Sequence, residues 1–224
     1  MFGSAQAMGY DRSAIMYSPE GRIIQTEYAR EAMKRGSISI AIRTDQGVVL
    51  AGQLRTVDLD LPNYKISKID EHVSVIFSGY AADGRVLVNR ARIEAQIHRL
   101  SYGTPTDIKG LATRIGDYVQ LYTQSGGVRP FGVGILFGGI EPVTKLPAVM
   151  FVNPGGGVIG CKAKAIGDGE TVAIKYLKEH YKENMDVDQI KELAIATIRE
   201  VVNDPELPLD QIELWSLTPD EVQF

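Results

Sequence analysis

A single cysteine, Cys161, stands in 224 residues. It has no partner for an internal disulfide and no second thiolate for a zinc site, which suits a reducing compartment and points to the cytoplasm. Histidine is almost as scarce. His72, His98 and His180 stand singly, with no second ligand at metal spacing, so neither a metal nor a cofactor is expected. No apolar run approaches the roughly 20 residues that span a bilayer. The opening residues, MFGSAQAMGYDR, also lack the apolar stretch of a secretory signal, so no membrane partner is expected. Positive charge is not in excess either: 24 lysines and arginines against 28 carboxylates give a formal net charge of −4. The basic residues are scattered, and no nucleic-acid partner is expected. The Gly-x-Ser-x-Gly elbow of the α/β-hydrolases is missing as well. One motif is present without its setting: GGGVIG, residues 155–160, matches a dinucleotide fingerprint, but the CKAKAIG that follows reads as a strand, not a helix. A glycine-rich hairpin is the expectation there.

What the chain does have is enough apolar content, 44%, for one sizeable core, and its periodicity falls into four blocks. SPEGRIIQTEYAREAMKRG (18–36) reads as a helix capped by Ser18, with Pro19 in its first turn and Gly36 at its end, and with Ile24, Tyr28 and Ala32 on one face. SISIAIRT, GVVLAGQ and HVSVIFSG follow as a hairpin and a third strand. Two helices come next. Val86, Ile93, Ile97 and Leu100 mark the apolar face of the first, and Ile108, Leu111, Ile115, Tyr118 and Tyr122 that of the second, with Thr104 and Pro105 as its start signal. Strands return at FGVGILFGGI, AVMFVNP and GCKAKAIG, followed by helices near 169–182 and 186–203 and a last strand, IELWSL. Two sheets face to face with a helix pair on each outer side would bury these faces, giving an α+β, four-layer αββα sandwich with an extra N-terminal helix.

Long segments carry a resemblance: YDRSAIMYSPEGRIIQTEYAREAMKRGS (10–37), SGYAADGRVLVNRAR (78–92), GGVRPFGVGILFGG (126–139) and AKAIGDG (163–169). Through them the chain resembles proteasome core-particle α subunits of the archaeal type, nearly end to end. The resemblance implies the sandwich of the N-terminal-nucleophile hydrolases, in one domain over 1–224: a gate segment at 1–17, the N-terminal helix at 18–36 and the sandwich at 37–224. It also implies a structural and gating subunit that is not itself an enzyme. Its partners would be other α subunits in a seven-membered ring, proteasome β subunits, a proteasome-activating AAA ATPase and unfolded proteins in transit to the threonine-protease chamber.

An active hydrolase is the alternative, with self-cleavage after Gly36 exposing Ser37 as nucleophile. Ser37 and Lys65 fall where the nucleophile and catalytic lysine of catalytic β subunits lie, but Gln53 stands where those subunits place a carboxylate. A capped helix ahead of Ser37 also reads as structure to keep rather than a propeptide. The resemblance further implies a gate cluster of Tyr10, Asp11, Arg12, Pro19 and Tyr28, with residues 1–9 as plug. An activator-tail site at Lys65 and Gly79 and a pore constriction at Ser125, Gly126, Gly127 and Val128 complete the set.

Overall fold

The computed structural model describes residues 15–55 and 64–222. In chain order the elements are α1 (Ile24–Lys34), β1 (Ser39–Arg43), β2 (Val48–Gln53), β3 (Ile66–Asp70), β4 (Val73–Gly79), α2 (Ala81–Tyr102), α3 (Ile108–Gln124), β5 (Val133–Ile140), β6 (Pro147–Val152), β7 (Val158–Gly160), β8 (Ala163–Ile166), α4 (Glu170–His180), α5 (Val187–Val202) and β9 (Ile212–Leu217). The strands form two antiparallel sheets, ordered β8-β1-β2-β9 and β3-β4-β5-β6-β7. Strand β5 is buried at every position, as a central strand covered on both faces must be.

Three apolar clusters stack through the molecule. Leu87, Leu111, Ile115 and Phe137 join α2 and α3 to the five-stranded sheet. Ala41, Leu50, Ile76, Leu136 and Phe151 fill the space between the sheets. Ile40, Ile42, Ile190, Leu193 and Ile198 join the four-stranded sheet to α4 and α5. The layers are therefore α, β, β, α, as the block order implies. Strands β3 and β7 are additions: β3 lies in what reads as a polar connection, because as an edge strand it buries only Ile69 and Asp70. Strand β7 lies inside GGGVIG, whose glycines turn in a β6-β7 hairpin with the Asn153 side chain accepting from the Gly155 and Gly157 amides. A hairpin replaces any nucleotide-binding helix start.

Two features differ from the periodicity reading. The N-terminal helix spans Ile24–Lys34, not 18–36, because Ser18 to Gly21 forms a tight turn. The Gly21 amide donates to the Ser18 carbonyl at 2.8 Å, and Tyr17 bridges Ile23 across the turn. Pro19 supplies the fixed φ of a turn's second position and Gly21, at φ 74°, the left-handed exit; Ser18 is a turn residue, not the helix cap. The helix buries Ile24, Thr26, Ala29 and Met33, while Tyr28 and Ala32 are only half-buried. In α2 the reversal is larger. Val86, Ile93, Ile97 and Leu100 face outward, 42–86% exposed, and Leu87, Val88, Ala91 and Ala95 face the sheet. Gly84 explains the close approach, since a Cβ there would sit 2.5 Å from the Phe77 ring on β4. Helix α3 begins after Asp107, whose carboxylate caps the Gly110 amide at 2.6 Å, so the start lies past Thr104 and Pro105.

Candidate functional site

The link between α1 and β1 is held by close contacts and by hydrogen bonds from several segments of the chain. Met33 extends into the inter-sheet cluster and seats α1 on the sheets. Gly36 follows. A side chain there would collide with the Gly79 amide and the Ser78 hydroxyl, so the chain enters the sheet only as glycine. Its carbonyl accepts the Asp168 amide at 2.7 Å, which brings the AIGDG segment over the link. The Ser78 hydroxyl lies 3.0 Å from the Ser37 carbonyl and 3.1 Å from that of Met33.

Ser37 and Lys65 meet here. The Lys65 ammonium donates to the Ser37 carbonyl at 2.7 Å, the Ser37 hydroxyl at 2.9 Å and the Ile38 carbonyl at 3.1 Å, and the Ser37 hydroxyl in turn donates to the Gln53 carbonyl at 3.0 Å. Burial first, and then the nearby Arg55 guanidinium, push the Lys65 ammonium down to about 7, against an opposing pull from Glu213. Nucleophile and lysine are thus within hydrogen-bond reach, but two parts of a hydrolytic centre are replaced. The Ser37 nitrogen is in a peptide bond with Gly36, so no α-amino base is free while the chain is uncut. All three Lys65 bonds go to uncharged oxygens, and Gln53 takes part through its backbone carbonyl.

The structure brings the two residues expected for tail docking near one another: Lys65 binds Ser37, and Gly79 packs closely on Gly36. Gly79 has its own structural reason, with φ at 121° and the Gly132 carbonyl filling the space that a Cβ would need. Tyr80 beside it is exposed. The loop 125–128 leaves α3 with the Ser125 hydroxyl on the Leu121 carbonyl at 2.7 Å, and Gly126 and Gly127 face open space. Val128 is exposed. Arg129 then ties this loop to the start of α2: it pairs with both Asp83 oxygens at 2.6 and 2.8 Å and lies 5.8 Å from the Tyr80 ring centre. Burial would raise the Asp83 carboxyl, but the Arg129 and Gly132 hydrogen bonds prevail and hold it below the usual carboxylate range. Pro19 lies in the exposed turn before α1 and Tyr28 midway along it. Tyr10, Asp11 and Arg12 lie outside the described residues.

Asp83, Arg129 and Glu213 escape a reading by motif. The signal for Glu213 is a carboxylate inside the apolar strand IELWSL; for the pair, no local signal exists, since its members are far apart in sequence.

Two facing sheets between helix pairs, with a serine and a lysine meeting where the first strand begins, define the class: a sandwich of the N-terminal-nucleophile hydrolase type. Comparison places the chain within that class. Residues 33–217 match the family described as Proteasome subunit, and residues 10–32 match the N-terminal signature of the A-type proteasome subunits. The chain is similar to the proteasome α subunit of Aeropyrum pernix (42% identity over 96% of this chain and 87% of that protein) and to that of Pyrococcus horikoshii (40% over 96% and 82%). The corresponding protein of Methanococcus vannielii is 46% identical over 84% of this chain and 73% of its own length. The chain belongs to the proteasome α-subunit family. Membership supports a structural role in the outer ring and does not favour the Ser37 hydrolase. No helix among the described residues is long and apolar enough to cross a membrane.

Proposed function

We propose that this chain is a non-catalytic, gating subunit of the proteasome core particle in the cytoplasm, assembling as a seven-membered outer ring over the β subunits and admitting unfolded polypeptides to the inner chamber. The observation that carries this reading is the closed α1-β1 link. Gly36 is tightly packed against Ser78 and Gly79, and Ser37 is bonded through both its carbonyl and its hydroxyl. Excising α1 would expose the apolar surface that Met33 and Ala29 cover and break the Asp168 bond to Gly36. Retention of α1 is what a sealing element requires.

Gating falls to Tyr10, Asp11 and Arg12 with Pro19 and Tyr28 as supports, and the narrow part of the pore to Ser125, Gly126, Gly127 and Val128. Lys65 and Gly79 receive the C-terminal carboxylate of an activating ATPase's tail. For this the Lys65 ammonium must release at least one of its three internal oxygens, so docking would loosen the bonds that hold the α1-β1 link.

Intact and native mass of the purified chain test the assembly: an uncut chain in seven- or fourteen-subunit particles that cleaves no peptide is expected. A new N-terminus at Ser37 would overturn the proposal. Deletion through Arg12 is expected to speed peptide entry into the assembled particle, and an unchanged rate removes the gate assignment. Lys65→Ala is expected to abolish stimulation by tail peptides, whereas preserved stimulation removes Lys65 from the site.

A further inference from the structure

Lys65 is held at three points, and only one is its ammonium. Its side-chain stem runs past Gly52 on β2, where an added Cβ would lie 3.6 Å from the Lys65 Cδ. Directly opposite Gly52 in the β2-β9 register stands Glu213. A single oxygen of that carboxylate, Oε2, accepts the Lys65 amide at 2.6 Å and the Ile66 amide at 3.1 Å. Strand β9 is the edge of one sheet and β3 the edge of the other, so this carboxylate joins the two sheets at the point where Lys65 leaves the backbone. A half-buried acid in a strand is costly unless it is hydrogen-bonded. Here its bonds go to the backbone amides of Lys65 and of Ile66 next to it.

We propose that Glu213 is the positioning residue of Lys65, fixing its backbone through one carboxylate oxygen and supplying the counter-charge that keeps the ammonium ready for a ligand's terminal carboxylate. The ligand part rests on the tail-docking reading above; the effect on Lys65 does not. The charged groups facing Lys65 among the described residues are Arg55 at the end of β2, which opposes its protonation and is itself paired with Asp168 at 3.0 Å, and Glu213 on β9, which favours it. Burial raises the Glu213 carboxyl above its ordinary range, while the two amides and Lys65 pull it back. Burial does most to push Lys65 down to about 7 and Arg55 adds to it, so the opposing charge of Glu213 is what removal would take from the ammonium.

Glu213→Gln separates charge from geometry, because an amide oxygen can still accept both N–H groups. The test uses the full chain assembled with its β partner. Acetic anhydride labelling across a pH series, read by peptide mass spectrometry, reports the half-point of Lys65 with the other lysines as internal standards. In Glu213→Gln the half-point is expected to fall by about one pH unit, the lower end of what one nearby opposite charge does. Equal half-points in the two proteins overturn the proposal. The second readout is peptide entry stimulated by a synthetic peptide that ends in a hydrophobic residue, a tyrosine and one more residue with a free carboxylate. A one-unit fall leaves about tenfold less ammonium at about pH 8 and about twofold less or better at about pH 6, so stimulation is expected to fall and then recover in that pattern. Glu213→Ala, which also frees the two amides, is expected to lose stimulation at both pH values. If it merely copies Glu213→Gln, the backbone part of the proposal fails. If the half-point shifts but a C-terminally amidated peptide stimulates as well as the free acid, the docking reading fails and the pairing of Glu213 with Lys65 stands.

Discussion

Helix α5 carries its apolar residues inward, with Ile190, Leu193, Ala194 and Ile198 buried against the four-stranded sheet, whereas α2 on the opposite side carries Val86, Ile93, Ile97 and Leu100 outward. Both helices lie on a sheet. The difference is in what each uses for the contact: α2 packs through Gly84, Ala91 and Ala95 beside Leu87 and Val88, small residues that let it approach the sheet closely. Its larger apolar residues are then left over. A helix with two apolar faces, one of small and one of large side chains, has surface to bury against something outside its own fold.

The starts of the two helices differ in the same way. Helix α5 has a local capping box, with the Asp186 carboxylate on the Gln189 amide at 2.8 Å and the Gln189 side chain returned to the Asp186 amide at 3.0 Å. The residue before α2, Tyr80, offers no side-chain cap, and that helix is anchored instead by Asp83 to Arg129 and to the Gly132 amide. Local chemistry begins one helix; tertiary chemistry begins the other.

This contrast can be broken at several points, the largest first. Leu87→Ala on the inner face of α2 is expected to cost about 3 kcal/mol in urea unfolding, the cavity cost of a fully buried leucine. A loss under about 1 kcal/mol would mean that the inner face is not the packed one. Asp83→Ala should cost roughly 2 kcal/mol, since the buried Gly132 amide loses its partner. Asp186→Ala at the capping box should cost about half that, in line with an exposed cap. Equal losses would erase the distinction between the two starts. The Asp83 effect carries a pH signature. Because its folded-state value lies below its unfolded one, its contribution is fully present above the unfolded value and is lost as pH falls through the folded one. Unfolding curves for the wild type and Asp83→Asn should therefore converge in acid; a constant gap would exclude the ion pair as the cause. Smallest in stability is Ile97→Ala on the outer face, expected within about 0.5 kcal/mol. Ile97→Asp should nevertheless reduce the assembled fraction by native mass, and unimpaired assembly would show that the outer stripe is idle.

Much of the architecture was legible because element type is a local property. The hairpin in GGGVIG could be recognised from the strand that follows it, and a helix expected near 186–203 stands at Val187–Val202 as α5. Ser37 and Lys65 could be placed by resemblance to catalytic relatives, and they do meet, at 2.9 Å. What was not legible depended on distant partners. A periodic stripe shows that a helix has an apolar face but not which surface covers it, so in α2 the large residues point a sequence reading to the outer face. Alanine and glycine contribute little to such a stripe, although they permit the closest packing.

The sequence by itself determined the order of the strand and helix blocks, the glycine-rich hairpin, the absence of a carboxylate at Gln53 and the family, because these rest on residue identity and short spacing. Only the tertiary structure decided that Lys65 turns inward onto Ser37, that Glu213 reaches from one sheet edge to the other to hold it, and that Asp83 finds Arg129. Each of those contacts joins residues 28 to 148 positions apart, and a charge in a chain carries no mark of the partner that folding will bring to it.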